Sequence, residues 1–273
     1  MISLIYTDED IASFNIAKAM CNKIDFKEVD NYKNDERFKK KEIIGFYKYE
    51  NLNLIGINSR LVYSEFLDTM NLGNIVFLSR HSSVKRVKSF TVHALGNWND
   101  KHDLGGEPKQ LGISNPESMI KILKEFSILQ KNAVEFKVTY EATHHGPLLK
   151  TPALFAEFGG DEGILNNPNY ADIVANAIKN SFEKEPEYDK IAIGIGGPHY
   201  STKFTKLALD GKYAFSHIMS RYYVNEIDML EQAVEKSKLK AEIAVIEKKS
   251  MNSPERSAII NKLNDLGIDN TMV

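Results

Sequence analysis

The chain reads as an α/β protein. Three observations predict this: short apolar runs alternate with amphipathic stretches, helix starts are marked by Asn-Pro and Ser-Pro, and strand-like segments end at glycine turns. Ile2–Tyr6 is an apolar run fit for a buried strand. Thr7 or Asp8 can cap a following helix to about Lys23, with Ile11, Phe14, Ala17 and Cys21 near helical spacing, so Cys21 is expected in the core. Glu42–Tyr47 and Leu52–Ile57 flank Glu50-Asn51 and predict a hairpin, and Asn74–Ser79 and Phe90–Leu95 predict two more strands. Asn115-Pro116-Glu117 places a capping amide, a first-turn proline and an acid in order, opening a helix to about Gln130. The alternation in Val134–Tyr140 predicts a half-exposed strand, and Asn167-Pro168 opens a helix to about Phe182. Lys190–Ile195 is a buried strand running into Gly196-Gly197. Ala241–Ile246 and a helix opened by Ser253-Pro254-Glu255 end the pattern. No stretch reads as a linker, so residues 1–273 are expected to form one domain.

Composition narrows the function. Hydrophobic residues at 42% and charged residues at 26% are ordinary for a globular protein. No apolar stretch approaches the roughly 18 residues of a membrane span, and the apolar start is too short and too quickly acidic for a signal peptide. A single cysteine allows no intramolecular disulfide, so a cytoplasmic, reducing setting is expected. The net charge of −2 argues against a protein that coats nucleic acid without selectivity. A local cationic segment, Arg80-His-Ser-Ser-Val-Lys85-Arg86-Val-Lys88, is either a solvated loop or a phosphate contact, with Lys203 and Lys206 as alternatives.

All seven histidines fall between His81 and His217. Four lie in or beside glycine-bearing turns: Thr91-Val-His93 with Gly96-Asn97-Trp98, Glu141-Ala-Thr-His144-His145-Gly146-Pro147, and Gly196-Gly197-Pro198-His199-Tyr200. Imidazole binds zinc and moves protons near neutral pH, and these turns follow predicted strands, where α/β sheets form their crevices. His93, Glu141, His144, His145 and His199 are therefore the candidate catalytic residues, and His144, His145 and His199 the candidate metal ligands. Glu141 can orient an imidazole or act as a base. Two adjacent histidines face one site only if the strand has already turned there. The alternative for any one of them is a hydrogen-bonded structural role. Arg80, Lys85, Arg86 and Lys88 are candidate substrate contacts. Trp98 is a candidate wall or stacking platform, and the backbone N–H groups of Gly196 and Gly197 are candidates for lining an anion pocket. Asp103 and Glu157 are further acids that can join, and His102 and His217 are weaker candidates. The chain has no Gly-x-Ser-x-Gly elbow, no His-Glu-x-x-His helix and no Cys-x-x-Cys pair, so the expected nucleophile is water.

An ordered set of segments resembles the archaeal and plant type of D-aminoacyl-tRNA deacylase. It comprises Leu4–Asp10, Phe77–Ser83, Thr91-Val-His93, Gly96-Asn97-Trp98, Leu104-Gly105-Gly106, His144-His145-Gly146-Pro147 and Gly196-Gly197-Pro198-His199-Tyr200. The resemblance implies hydrolysis of the ester between a D-amino acid and the terminal ribose of tRNA, and a zinc requirement. It also implies a three-layer α/β/α fold with a mixed central sheet, similar to phosphorylase and peptidyl-tRNA hydrolase folds. The implied partner is the acceptor end of D-aminoacyl-tRNA, with no membrane and a monomeric enzyme. Where this chain has Glu157-Phe-Gly159-Gly160, members carry Glu-Ile-Gly-Ser. Two other functions stay open on the residues alone: a metal-dependent amidase or peptidase acting on small D-amino acid derivatives, and a noncatalytic protein that binds tRNA ends.

Overall fold

The computed structural model describes residues 1–30, 32 and 42–273. Most expected elements form. In chain order they begin β1 (Ile2–Thr7), α1 (Ile11–Cys21), β2 (Lys27–Glu28), β3 (Ile43–Tyr49), β4 (Leu52–Ile57), β5 (Asn74–His81), β6 (Ser89–His93) and the two-residue strands β7 (Gly96–Asn97) and β8 (Gln110–Leu111). Then come α2 (Pro116–Leu129), β9 (Lys137–Tyr140), β10 (Ala153–Gly159), α3 (Glu162–Asn166), α4 (Pro168–Phe182), β11 (Lys190–Ile195), α5 (Thr202–Leu209) and β12 (Tyr213–Met219). The last are α6 (Met229–Glu235), β13 (Ile243–Ile246), α7 (Ser253–Asp265) and β14 (Asp269–Met272).

Eight strands form a mixed sheet in the order β2-β3-β4-β1-β5-β10-β6-β9, and β12-β11-β13-β14 form a second, parallel sheet. The hairpin β3–β4 is antiparallel, whereas β4, β1, β5 and β10 run parallel, so their carboxyl ends share one edge. β6 runs antiparallel to β10 and parallel to β9.

Side chains alternate across the large sheet. Leu4, Leu54, Val76, Leu78, Phe90, Val92, Leu154, Ala156 and Phe158 join one buried cluster on the face that α1, α2 and α4 cover. That cluster continues through β11, β12 and β13, so both sheets share it. The other face carries Ile5, Ile55, Ile75, Phe77, Ala153 and Phe155, packed against Leu61, Leu67 and Met70 from short 3-10 turns. Farther along the same strands this second face changes from apolar to polar. Ser79 and His81 follow Phe77, Glu157 follows Phe155, and His93 pairs with Phe155.

The caps explain the helices. Asn115 accepts from Ser118 N, Asn167 from Asn169 N, and Asn252 forms a reciprocal capping box with Glu255. The first helix starts later than expected, because Asp10 rather than Thr7 or Asp8 accepts the Ala12 N–H at 3.0 Å. Its buried face is Ala12, Ser13, Ile16, Ala17, Ala19 and Met20, and the small residues among them bring the helix close enough for Ser13 Oγ to donate to Leu78 O at 2.6 Å. Cys21 therefore points outward and is exposed, which corrects the expectation that it is core, and Ile11 and Phe14 are exposed as well. Among the described residues no helix is long and apolar enough to cross a membrane.

Candidate active site

At the carboxyl edge of β1, β5 and β10 lies a cleft of about 560 Å³, lined among others by Ser79, His81, Glu141, His144, His145, Phe155, Glu157 and His199. Strand alternation delivers His81 and Glu157. Gly159 sits beside His81 in the ladder, and a Cβ there would lie 2.7 Å from His81 O and 2.8 Å from its ring, so only glycine leaves that imidazole its place. β6 delivers His93 from the other side. Glu141 follows β9 and bridges to Tyr200, which brings His199 in from the second sheet.

The adjacent pair solves its geometric problem in the backbone. His145 has φ 44°, a left-handed conformation rare outside glycine, and the turn sends both imidazoles into the cleft. The rings of His93 and His144 are 4.1 Å apart, those of His144 and His145 4.3 Å, and those of His144 and His199 4.6 Å. All five expected catalytic residues thus meet in one place. Glu141, Glu157, His81 and His93 are buried, while His144 and His199 are half-buried at the cleft.

Two carboxylates organise the cluster. Glu141 accepts from His199 Nε2 at 3.0 Å, lies 2.8 Å from His81 Nδ1 through its other oxygen, and is 3.6 Å from His144 Nε2. Glu157 stands 3.6 Å from His81 Nδ1 and 3.8 Å from His93 Nε2, and Thr91 donates to it at 3.3 Å. Burial would raise both acids. The imidazoles of His199 and His81 instead hold Glu141 well below the usual carboxylate range, and those of His81 and His93 beside it bring Glu157 to about 2. Burial likewise disfavours a charged His81, but its two glutamates outweigh this and push it up to about 11. His81 is therefore the resident cation of the cluster. By contrast, burial and the neighbouring imidazoles hold His144 well below its ordinary value and His145 at about 4, so this pair is neutral.

Neutral imidazoles suit a metal, and His144 and His145 supply two. Burial disfavours a charged His93, but Glu157 beside it outweighs this and raises it above its ordinary value, so His93 would give up a proton on binding an ion. Nδ1 of His93, His144 and His145 is engaged by the carbonyls of Ala94, Ala142 and Gly146 at 3.1, 2.9 and 2.7 Å, which leaves Nε2 of each as the donor atom. Donor atoms of these three lie within 4.8 Å of one another, and the buried Nε2 of His93 has no hydrogen-bond partner. A second group, Glu141, His144 and His199, is equally tight, as is His81 with Glu141 and Glu157. The group that holds both His144 and His145 is completed by His93, whereas His199 is grouped with Glu141.

Several expected contacts lie elsewhere. Trp98 is 2% exposed and donates Nε1–H to Thr143 O at 2.9 Å, so it braces the histidine turn from behind and is no stacking platform. Gly196 N–H is spent on Met219 O at 2.8 Å, and a Cβ on Gly197 would meet the Glu247 carboxylate at 2.5 Å. A loop with a consumed donor and a neighbouring anion lines no anion pocket; its positive φ angles of 97° and 78° serve to turn the chain toward His199. Arg80 lines the cleft, whereas Lys85 and Arg86 are exposed outside its lining and Lys88 reaches Glu135 at 4.0 Å. His102 and Asp103 are exposed outside the cleft, and His217 is buried between Thr143 and Lys236 O. His81 is the site residue that sequence reading passed over. Its signal was the period-two run Phe77, Ser79, His81, masked by the cations that follow.

Comparison with known proteins places the chain among its relatives. The family model for D-aminoacyl-tRNA deacylase matches residues 69–271. A D-aminoacyl-tRNA deacylase of Ignicoccus hospitalis is 40% identical over 75% of this chain and 83% of its own length. The one of Methanosarcina barkeri is 35% identical over 98% of this chain and 88% of its own. A crystal structure of a conserved protein of unknown function superposes with a TM-score of 0.90 at 28% identity, covering 100% of this chain and 95% of the other. With the family model matched over residues 69–271 and these relatives 35–40% identical over most of its length, the chain belongs to the D-aminoacyl-tRNA deacylase family.

Proposed function

We propose that the chain hydrolyses the ester of D-aminoacyl-tRNA with a water activated by the imidazole–carboxylate cluster and zinc, clearing D-amino acids from tRNA before translation uses them. The observation that carries this reading is the meeting of four imidazoles and two buried carboxylates at one cleft, where the lining Ser79 donates its hydroxyl to Arg80 O at 3.2 Å rather than to an imidazole. His93, His144 and His145 would hold the ion. Zinc bound by imidazoles lowers the pKa of water from about 15.7 to about 7 and polarises a carbonyl.

The chain's own residues supply the rest. His199, fixed by Glu141 at 3.0 Å, takes the proton from the attacking water and returns it to the ribose oxygen as the ester breaks. Glu141 remains ionised throughout and stabilises the imidazolium, the role a carboxylate plays behind a catalytic histidine. His81 keeps Glu141 and Glu157 charged in a buried place where two carboxylates would otherwise repel each other. The carboxylate-lined depth of the cleft also favours the α-ammonium of an aminoacyl ester, which a simple acyl ester lacks. Incubating the protein with D- and L-tyrosyl-tRNA, with and without a chelator, tests the reading. D-tyrosine is released, L-tyrosyl-tRNA survives, and the chelator stops the reaction until zinc is restored. Equal release from both substrates, or release indifferent to metal, would overturn it.

A further inference from the structure

Arg60 belongs to none of the motifs read from the sequence, yet it lines the same cleft as Arg80. Arg80 lies within β5 and Arg60 three residues past the end of β4, with β1 between the two strands, so both stand at the carboxyl edge of the sheet. Both are exposed, and among the described residues neither guanidinium has a carboxylate partner. Arg60 is held differently: it lies 5.3 Å over the Tyr63 ring, and the Tyr63 hydroxyl donates to Asp103 O at 2.9 Å, beside the cleft residue Leu104. Arg80 is anchored through its main chain, its N–H donating to the Asp10 carboxylate at 2.9 Å. Two exposed guanidiniums thus border a cleft whose depth holds Glu141 and Glu157; Glu9 and Asp10 share the lining, and the Asp10 carboxylate accepts the main-chain N–H groups of Ala12 and Arg80. A phosphate is repelled by that depth and drawn to the border, while a neutral ester carbonyl can pass inward.

We infer that Arg60 and Arg80 clamp phosphodiester groups of the unpaired 3′ end of tRNA at the border of the cleft, and so set how far the aminoacyl ester reaches toward the imidazoles. Guanidinium favours phosphate through its planar fork of donors, which lysine lacks. This inference rests on the proposed ester hydrolysis and adds the group by which the polynucleotide is held.

The test compares D-tyrosyl-tRNA with D-tyrosine esterified to adenosine, which carries the ester and no phosphate. Arg60→Ala and Arg80→Ala each lower kcat/KM on the tRNA substrate about 10- to 100-fold, through KM, and Arg60→Lys recovers only part of this. On the adenosine ester the loss is at least ten times smaller. Each alanine variant also flattens the dependence of log Kd on log salt for uncharged tRNA by about 0.7, the share of one single-strand phosphate. Tyr63→Leu, which removes the ring under Arg60 and leaves its charge, costs two- to fivefold. Equal losses on both substrates, or an unchanged salt slope, overturn the clamp. The salt slope reads the clamp even in a protein that leaves D-tyrosyl-tRNA intact, an outcome that sinks the proposed hydrolysis instead.

Discussion

The two ends of the large sheet hold two cavities of opposite character. At the amino ends of β1 and β4 a cavity of about 710 Å³ is lined by Lys23, Asp25, Glu50, Lys179 and Phe182. At the carboxyl ends the smaller cleft of about 560 Å³ holds the histidines. The charged groups of the larger cavity are exposed or paired at the surface: Glu50 is exposed, exposed Asp25 pairs with Lys27 at 2.7 Å, and Lys23 pairs with Asp172 at 2.5 Å. In the cleft Glu141 and Glu157 are buried and hold their charge only because histidines surround them. Volume therefore does not mark the site. Mutual dependence of buried titratable groups does.

The sharpest way to break this contrast is to neutralise the organiser of the cleft. Glu141→Gln keeps the shape, removes the charge behind His199 and is expected to lower kcat on D-tyrosyl-tRNA about 10²–10⁴-fold in single-turnover assays. Next in size is the separation of ligand from base. His145→Ala is expected to weaken zinc binding by at least about 100-fold in equilibrium dialysis, whereas His199→Ala retains the ion and loses turnover. Equal zinc loss in both would move His199 into the ligand set.

A third measurement separates the histidines that react from the one that braces. Burial pushes His217 down to about 4, so the folded state keeps it neutral while the unfolded chain, at the ordinary 6.5, takes up a proton first. Its contribution is complete above pH 6.5 and is lost as pH falls toward 4, at most about 3 kcal/mol. Urea unfolding of the parent and of His217→Asn across that window is expected to differ in slope, and parallel slopes would remove the bracing role. The smallest effect belongs to the other cavity. Lys179→Ala is expected to change kcat/KM by less than about twofold, and a larger loss would tie the amino end to the reaction.

How much of this was readable in the residues depended on which force shaped each element. Asn115-Pro116 and Asn167-Pro168 announced their helices because capping is local chemistry. Lys190–Ile195 was legible because a buried parallel strand is a continuous apolar run. β10, the strand that pairs with both β5 and β6, is absent from the sequence reading, because a glutamate within the run disguises full burial on both faces. Glu157 consequently ranked as an afterthought although it anchors His81 and His93. β12 was hidden in the same way by Ser216 and His217, polar residues that are satisfied only through distant partners. Gly196-Gly197 looked like an anion nest because positive φ is local, whereas the spent donor and Glu247 are tertiary facts. The convergence of His93, His144, His145 and His199 was foreseeable from their turns, but the cation between the two carboxylates was not.

The most direct test of the central claim concerns His144, which belongs both to the group with His93 and His145 and to the group with Glu141 and His199. Release of D-tyrosine from D-tyrosyl-tRNA by His144→Ala, at matched folded protein and saturating zinc, is predicted to fall at least about 100-fold below the parent. Turnover equal to that of the parent would show that the chemistry happens without the imidazole cluster.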